Sequence, residues 1–236
     1  MNNNVDLHDI DIVYPLKIKR NGNEELRYSL RSLKNLPHRN VYVLSPKRLD
    51  WLSREVKWVR TDDFLRSSFR NVNEKLLLMC NDKRLSDPFI LMNDDMFIMK
   101  KMNELPYYSL GRIKDRLESY NIHGTYYLDT QRAVNILESI GKRDIDFECH
   151  APILFYKESL KKVLNRYLAS GHRRSIYCNL ENVRPTYVKD FKVYCFDSNY
   201  DNTREILSTD DANFEQESEI RNQIINTFKY RSKYEK

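Results

Sequence analysis

Apolar residues in this chain follow two periods, and the switches between them predict the elements. In Asp9 to Leu16, DIDIVYPL, apolar Ile10, Ile12 and Val13 stand among small polar residues and stop at Pro15, the pattern of a strand. Asn23 then offers a helix N-cap ahead of Glu24 and Glu25, whose charge suits a helix N-terminus. Leu26, Leu30 and Leu33 follow at helical spacing on one face. Val41 to Leu44 reads as a second short strand ended by Pro46, and Val56 to Val59 as a third. After the acidic turn Thr61-Asp62-Asp63, Asn73 to Cys80 reads as a buried helix. Pro88 precedes FILMNDDMFIM, Phe89 to Met99, where two apolar runs of strand length enclose a polar triplet. One continuous element would bury two carboxylates without partners, at several kcal/mol each. A strand must therefore end near Met92 and expose Asn93, Asp94 and Asp95 at its edge.

Strand, helix, strand, strand, helix, strand is the order of an α/β fold, Rossmann-like, with a mostly parallel sheet flanked by helices. In such sheets ligands bind beyond the carboxyl ends of the strands, where the acidic triplet falls. Downstream, Thr130 to Ile140 and Lys157 to Leu168 read as helices, Tyr187 to Phe196 as a strand, and Glu215 to Tyr230 as a closing helix. Five glycines and seven prolines leave room for few tight hairpins, which argues against an all-β sandwich.

Composition changes this picture little. With 40 basic and 34 acidic residues the net charge is +6, a mild bias toward polyanions such as nucleotide phosphates, acidic glycans, nucleic acid or anionic lipid. Met1 to Asp11 lacks the basic and apolar regions of a signal peptide, and no run approaches the roughly 20 apolar residues of a membrane span. A soluble, cytoplasmic protein is expected. Cys80, Cys149, Cys178 and Cys195 stand far apart without Cys-x-x-Cys spacing, as reduced core thiols would.

The candidate chemistry begins with the triplet. Vicinal carboxylates at a strand end suit a divalent metal, magnesium or manganese, which would neutralise a diphosphate; a solvated turn is the alternative. His150 could accept a proton near neutral pH or be structural. Arg27 and Arg31, one helical turn apart, suit either pairing with Glu24 or a bidentate grip on phosphate. Arg70, Asn71, Glu74 and Lys75 open the buried helix, where amides and a cation favour an anion, with surface ion pairing as the alternative. His172, Arg173 and Arg174 form a basic turn that could meet an anionic acceptor or only solvent. Tyr107, Tyr108, Tyr126 and Tyr127 could stack on a sugar or base, or pack in the core.

Three segments together, GNEELRYSLRSLKNL (Gly22 to Leu36), VYVLSPKRLDWL (Val41 to Leu52) and FILMNDDMFIM, resemble the second motif block of the Stealth proteins. That family includes capsular polysaccharide phosphotransferases and the lysosomal-enzyme N-acetylglucosamine-1-phosphotransferase. His150-Ala151-Pro152 resembles its third block, His-x-Pro; CFDSN, Cys195 to Asn199, is similar to its fourth, and IDIVYPLK, with Tyr14, keeps part of its first.

The resemblance implies a single GT-A-like transferase domain over residues 1–236, the first 100 residues binding a nucleotide-sugar and residues 101–236 forming the acceptor half and closing helix. It implies Asp94, Asp95 and Asp197 at the metal, Asp95 and His150 in catalysis, and Tyr14, Arg27, Arg31, Arg70, Lys75, Asn93 and Asp94 at the donor. The donor expected first is a UDP-sugar, and the acceptor a glycan or other hydroxyl, modified DNA included. Family members transfer a hexose-1-phosphate, whereas GT-A glycosyltransferases transfer the sugar. The shorter chain and altered outer blocks tip the expectation to metal-dependent sugar transfer, ahead of sugar-phosphate transfer and of a non-enzymatic nucleic-acid or glycan-binding module.

Overall fold

The first two apolar runs lie side by side as parallel strands β1 (Asp11–Pro15) and β2 (Val41–Ser45), with Val13 opposite Tyr42. This computed structural model describes residues 5–63, 67–119, 124–168, 170–194, 203–215 and 218–236. Helix α1 (Glu24–Ser32) connects β1 to β2. Strand β3 (Val56–Arg60) extends the sheet beyond β2, and helix α2 (Ser68–Cys80) returns the chain to β4 (Phe89–Leu91), parallel to β1 on its other side. β5 (Met96–Ile98), β6 (Tyr108–Ser109), β7 (Gly111–Arg112), α3 (Ile113–Ser119), α4 (Thr125–Ser139) and β8 (Ile145–Asp146) follow. After them come β9 (Ile153–Phe155), α5 (Lys157–Tyr167), α6 (Arg173–Leu180), β10 (Thr186–Tyr187), β11 (Lys192–Val193), β12 (Ile206–Thr209), α7 (Asp211–Glu215) and α8 (Glu219–Thr227). β9 closes the main sheet antiparallel to β4, giving the order β3-β2-β1-β4-β9.

The chain is thus a mixed α/β protein with a parallel-strand sheet and, among the described residues, eight α-helices. β1, β2 and β4 read as near-continuous apolar runs because helices cover both faces of a parallel sheet; edge strand β3, with Lys57 and Arg60 exposed, is only partly buried. Strand order reverses at β1, so the crevice beyond the carboxyl ends of β1 and β4 is the topological switch point.

β4 and β5 belong to different sheets. β5 pairs antiparallel with β12, Phe97 opposite Leu207, in a small sheet β11-β12-β5. That sheet has its own apolar cluster, including Tyr28, Phe97, Leu207, Phe214 and Phe228. Helix α1 stands between the two, with Leu26 and Leu30, and Leu33 just after its end, in the main core and Tyr28 in the small one. Its serines supply partners for β5: Ser29 donates to the Met96 carbonyl, and Ser32 Oγ accepts from the Ile98 amide at 3.0 Å. A buried backbone needs such partners, and this is what the two serines of YSLRS provide.

Several expected boundaries move. Asn23 precedes α1 but sits in the left-handed region, φ 58°, which Asn tolerates better than most residues. Its side chain accepts from the Lys19 amide and donates to the Lys17 carbonyl instead of capping the helix. α2 starts at Ser68, ahead of the apolar run that announced it, and α4 at Thr125. The strand expected over Tyr187 to Phe196 is split, because β10 pairs with β6 while β11 pairs with β12 in another sheet. The closing helix is α8, with the short α7 before it. Cys80, Cys149 and Cys178 are buried free thiols, and Cys195 lies outside the described residues. Among the described residues, no helix is long and apolar enough to cross a membrane.

Candidate active site

The turn Asn93-Asp94-Asp95 leaves β4 at the switch point and meets a cluster of alternating charge. Asp95 Oδ2 accepts from Lys192 Nζ at 2.8 Å and from Ser208 Oγ at 3.2 Å, and its carbonyl accepts from the Thr209 amide. Its Oδ1 is buried and, among the described residues, receives no hydrogen bond. Asp94 lies 3.6 Å from Lys19, which also bonds Glu25. Glu25 is buried and accepts from Thr209 Oγ1 at 3.0 Å. Burial first, and then the charges of Asp94 and Asp95, push its carboxyl up to about 7 against the opposing pull of Lys19. Burial alone would lower the Lys192 amine; the Asp95 carboxylate outweighs it and the net shift is upward.

Raised above the ordinary 4.5, Glu25 adds stability that is fully present below pH 4.5 and lost as pH rises through 7. Glu25→Gln cannot ionise and is expected to remove that loss. In chelator-treated protein, wild-type stability relative to the variant should fall by about 3 kcal/mol across this window, read by urea unfolding. Parallel pH curves would mean that Glu25 is ionised in the fold throughout.

Next to the turn lies a cleft of about 350 Å³ lined by Asn93, Tyr126, Glu148, His150 and Arg173, among others. α6 builds much of it. Arg174 Nη1 donates to the carbonyls of Cys149 and Ala151, at 2.7 and 2.6 Å, and so brackets His150 on both sides. Ser175 of the same helix bonds the Phe147 amide through Oγ and Glu148 through its own amide. A Cβ on Gly171 would meet Asp129 Oδ2 at 2.7 Å and displace the carboxylate that accepts from the Gly171 amide. His150 Nδ1 lies 3.0 Å from both carboxylate oxygens of Asp190, and Nε2 has no hydrogen bond among the described residues. Burial opposes ionisation of Asp190, but His150 outweighs it, and the carboxyl stays down at about 2.

Arg173 donates to the Gly171 carbonyl, and its buried Nε has no partner among the described residues. Burial lowers this guanidinium to about 10, so it remains charged at neutral pH. His172, by contrast, is a packing residue: Nε2 meets Thr130 Oγ1 at 2.9 Å and the ring leans on Tyr126. The expected basic turn is therefore the start of a helix, with one of its three residues offering charge to the cleft.

Five expected donor contacts lie elsewhere. Tyr14 is fully buried, its hydroxyl bonded to Ser29 Oγ and Met92 Sδ. Arg31 is buried with its fork spent on Glu235, both bonds 2.7 Å. Arg27 stacks on Trp51, 4.8 Å from the ring centroid, and faces Glu235 rather than Glu24, which pairs with Arg221. Lys75, 3% exposed, is locked between Asp63 and the Leu16 carbonyl. Arg70 is on the exposed face of α2, outside the cleft lining. Arg31 and Lys75 meet internal carboxylates and carbonyls before any ligand could reach them. Tyr107 and Tyr108 are core residues, while Tyr126 stays exposed at the cleft.

Among the described residues, no group of three or more His, Cys, Asp or Glu side chains converges as a metal ligand set. Asp197 lies outside those residues. Asp94 and Asp95 nonetheless suit a hard cation, because they are oxygen ligands and Asp95 Oδ1 is buried without a donor among the described residues. Magnesium is commonly held by one or two carboxylates while phosphates and water complete its shell.

Lys19, Glu148, Asp190 and Lys192 carry no motif and were not singled out in the sequence. The one signal available was Asp190-Phe191-Lys192, two charges flanking an apolar residue at strand spacing. The chain matches no protein-family model and none of the curated proteins with which it was compared.

Proposed function

We propose that this protein is a GT-A-like transferase that moves part of a nucleotide-sugar onto an acceptor hydroxyl. The observation that carries this reading is the meeting of Asn93, His150 and Arg173 in one cleft beside the Asp94–Asp95 turn, at the carboxyl end of a parallel sheet. His150 Nε2 takes the proton of the attacking hydroxyl, while Nδ1 faces Asp190. Arg173 brings a desolvated guanidinium that makes no salt bridge among the described residues, Glu148 and Asp129 acting on it only through their field, and it is ready for a phosphate oxygen. Asp94 and Asp95 would hold manganese or magnesium, whose charge neutralises the diphosphate. A UDP-sugar is the donor expected first, and a glycan hydroxyl the acceptor.

The sequence favours transfer of the sugar itself. One feature of the cleft favours the alternative, transfer of the sugar phosphate. Attack at the anomeric carbon builds positive charge on the sugar, which a guanidinium beside the base opposes. Attack at phosphorus keeps negative charge on the equatorial oxygens, which the same guanidinium stabilises. The product separates the two. Chromatography of manganese-dependent reactions should show a nucleoside diphosphate for sugar transfer and a monophosphate for sugar-phosphate transfer. No nucleotide product from a panel of nucleotide-sugars, together with steeply salt-dependent binding to long DNA, would instead favour a nucleic-acid-binding module.

A further inference from the structure

We propose that Asp190 is the positioning residue of this site, fixing the tautomer of His150 and, through the same oxygen, the backbone that delivers Lys192 to Asp95. The inference rests on the reading of His150 as the base. Asp190 Oδ1 accepts from the His150 amide at 3.2 Å and the Lys192 amide at 3.3 Å, while the imidazole Nδ1 lies 3.0 Å from each carboxylate oxygen. The Asp190 carbonyl is held in turn by Arg204 Nη1 at 2.7 Å.

An ionised carboxylate only accepts hydrogen bonds, so Nδ1 of the neutral ring must carry the proton. The lone pair is then on Nε2, as a base facing a hydroxyl requires. Two residues on, Lys192 reaches Asp95 Oδ2 at 2.8 Å, so a three-residue segment joins the base to the acidic turn. Asp190 is half-buried, accessible enough to tolerate substitution and fixed enough to orient its partners.

Asp190→Asn tests this, because two backbone amides hold the Oδ1 position and keep the carbonyl of the new amide there. The NH₂ group then replaces Oδ2 and donates to Nδ1; the neutral Oδ1, also 3.0 Å from Nδ1 but already accepting from the His150 and Lys192 amides, competes poorly for a ring proton, so the proton moves to Nε2. Long-range ¹H–¹⁵N NMR of His150 in mildly alkaline buffer is expected to show Nδ1–H in the wild type and Nε2–H in Asp190→Asn. The variant should lose about 100-fold or more in kcat with little change in donor KM, and Asp190→Glu should recover part of it.

An Nε2–H tautomer in the wild type, or the same tautomer in both proteins, overturns the proposal. So does a normal kcat in Asp190→Asn when His150→Ala is inactive. The NMR measurement needs no substrate, so it also separates this inference from the transferase reading. A tautomer that switches in a protein that turns over no nucleotide-sugar supports the positioning role and counts against the enzyme.

Discussion

Asp95→Asn is expected to lower turnover by about 1000-fold or more, the scale on which preorganised charge acts in a transfer site, while leaving the fold in place. The substitution keeps size and shape and removes the charge. Ser208 can still bond the amide, and Lys192 retains the Thr209 carbonyl and lies within the field of Glu25. The stability cost is that of a largely desolvated ammonium losing its counter-charge, the side chains of Asp95 and Lys192 being 17% and 15% exposed. Discounted for that exposure and the remaining partners, it should be about 2 kcal/mol, or about 6 °C in melting temperature. Near-normal turnover in a folded variant would remove the acidic pair from the chemistry. Collapse of the fold, with no soluble native protein, would make the pair a structural turn.

His150→Ala should reduce the chemical step by about 100-fold or more and leave nucleotide-sugar affinity nearly unchanged. The separation is expected because the imidazole is held from behind by Asp190 and by the backbone that Arg174 brackets, leaving Nε2 to meet the acceptor. Single-turnover kinetics and direct binding by calorimetry distinguish rate from affinity. If both fall together, His150 binds or packs, and the base must be sought elsewhere. The fold should be unaffected, since His150 is about one-third exposed and its backbone bonds survive truncation.

What could be read in the chain and what could not divide along physical lines. The parallel strands were legible because burial on both faces demands unbroken apolar runs such as Val41 to Leu44. The turn at Asn93 to Asp95 was legible because adjacent carboxylates cannot be left inside a continuous apolar element. The joining of His150 to Arg173 was not, since it depends on α6 folding back over residues 147–151 through Arg174 and Ser175. The first turn of α6 read as loop because three charged or titratable residues come before its short apolar run, Ile176, Tyr177 and Cys178. The cations of α1 and α2 misled for a related reason. A sequence shows that Arg31 and Lys75 are basic, but not that Glu235 and Asp63 have already claimed them.

The turn between the two sheets also bears on how this gene can vary. β4 is fixed in register against β1 and β9, and β5 against β12, with Met92 to Asp95 as the whole connection between them. Both strands are buried along their whole length, so one residue added or removed here cannot be taken up by sliding either strand without breaking its register and misplacing Asp94 and Asp95. Surface turns ordinarily accept insertions and deletions. This one should tolerate exchanges of residue type far better than any change of length, and a codon-deletion scan should find it as restrictive as the core on either side.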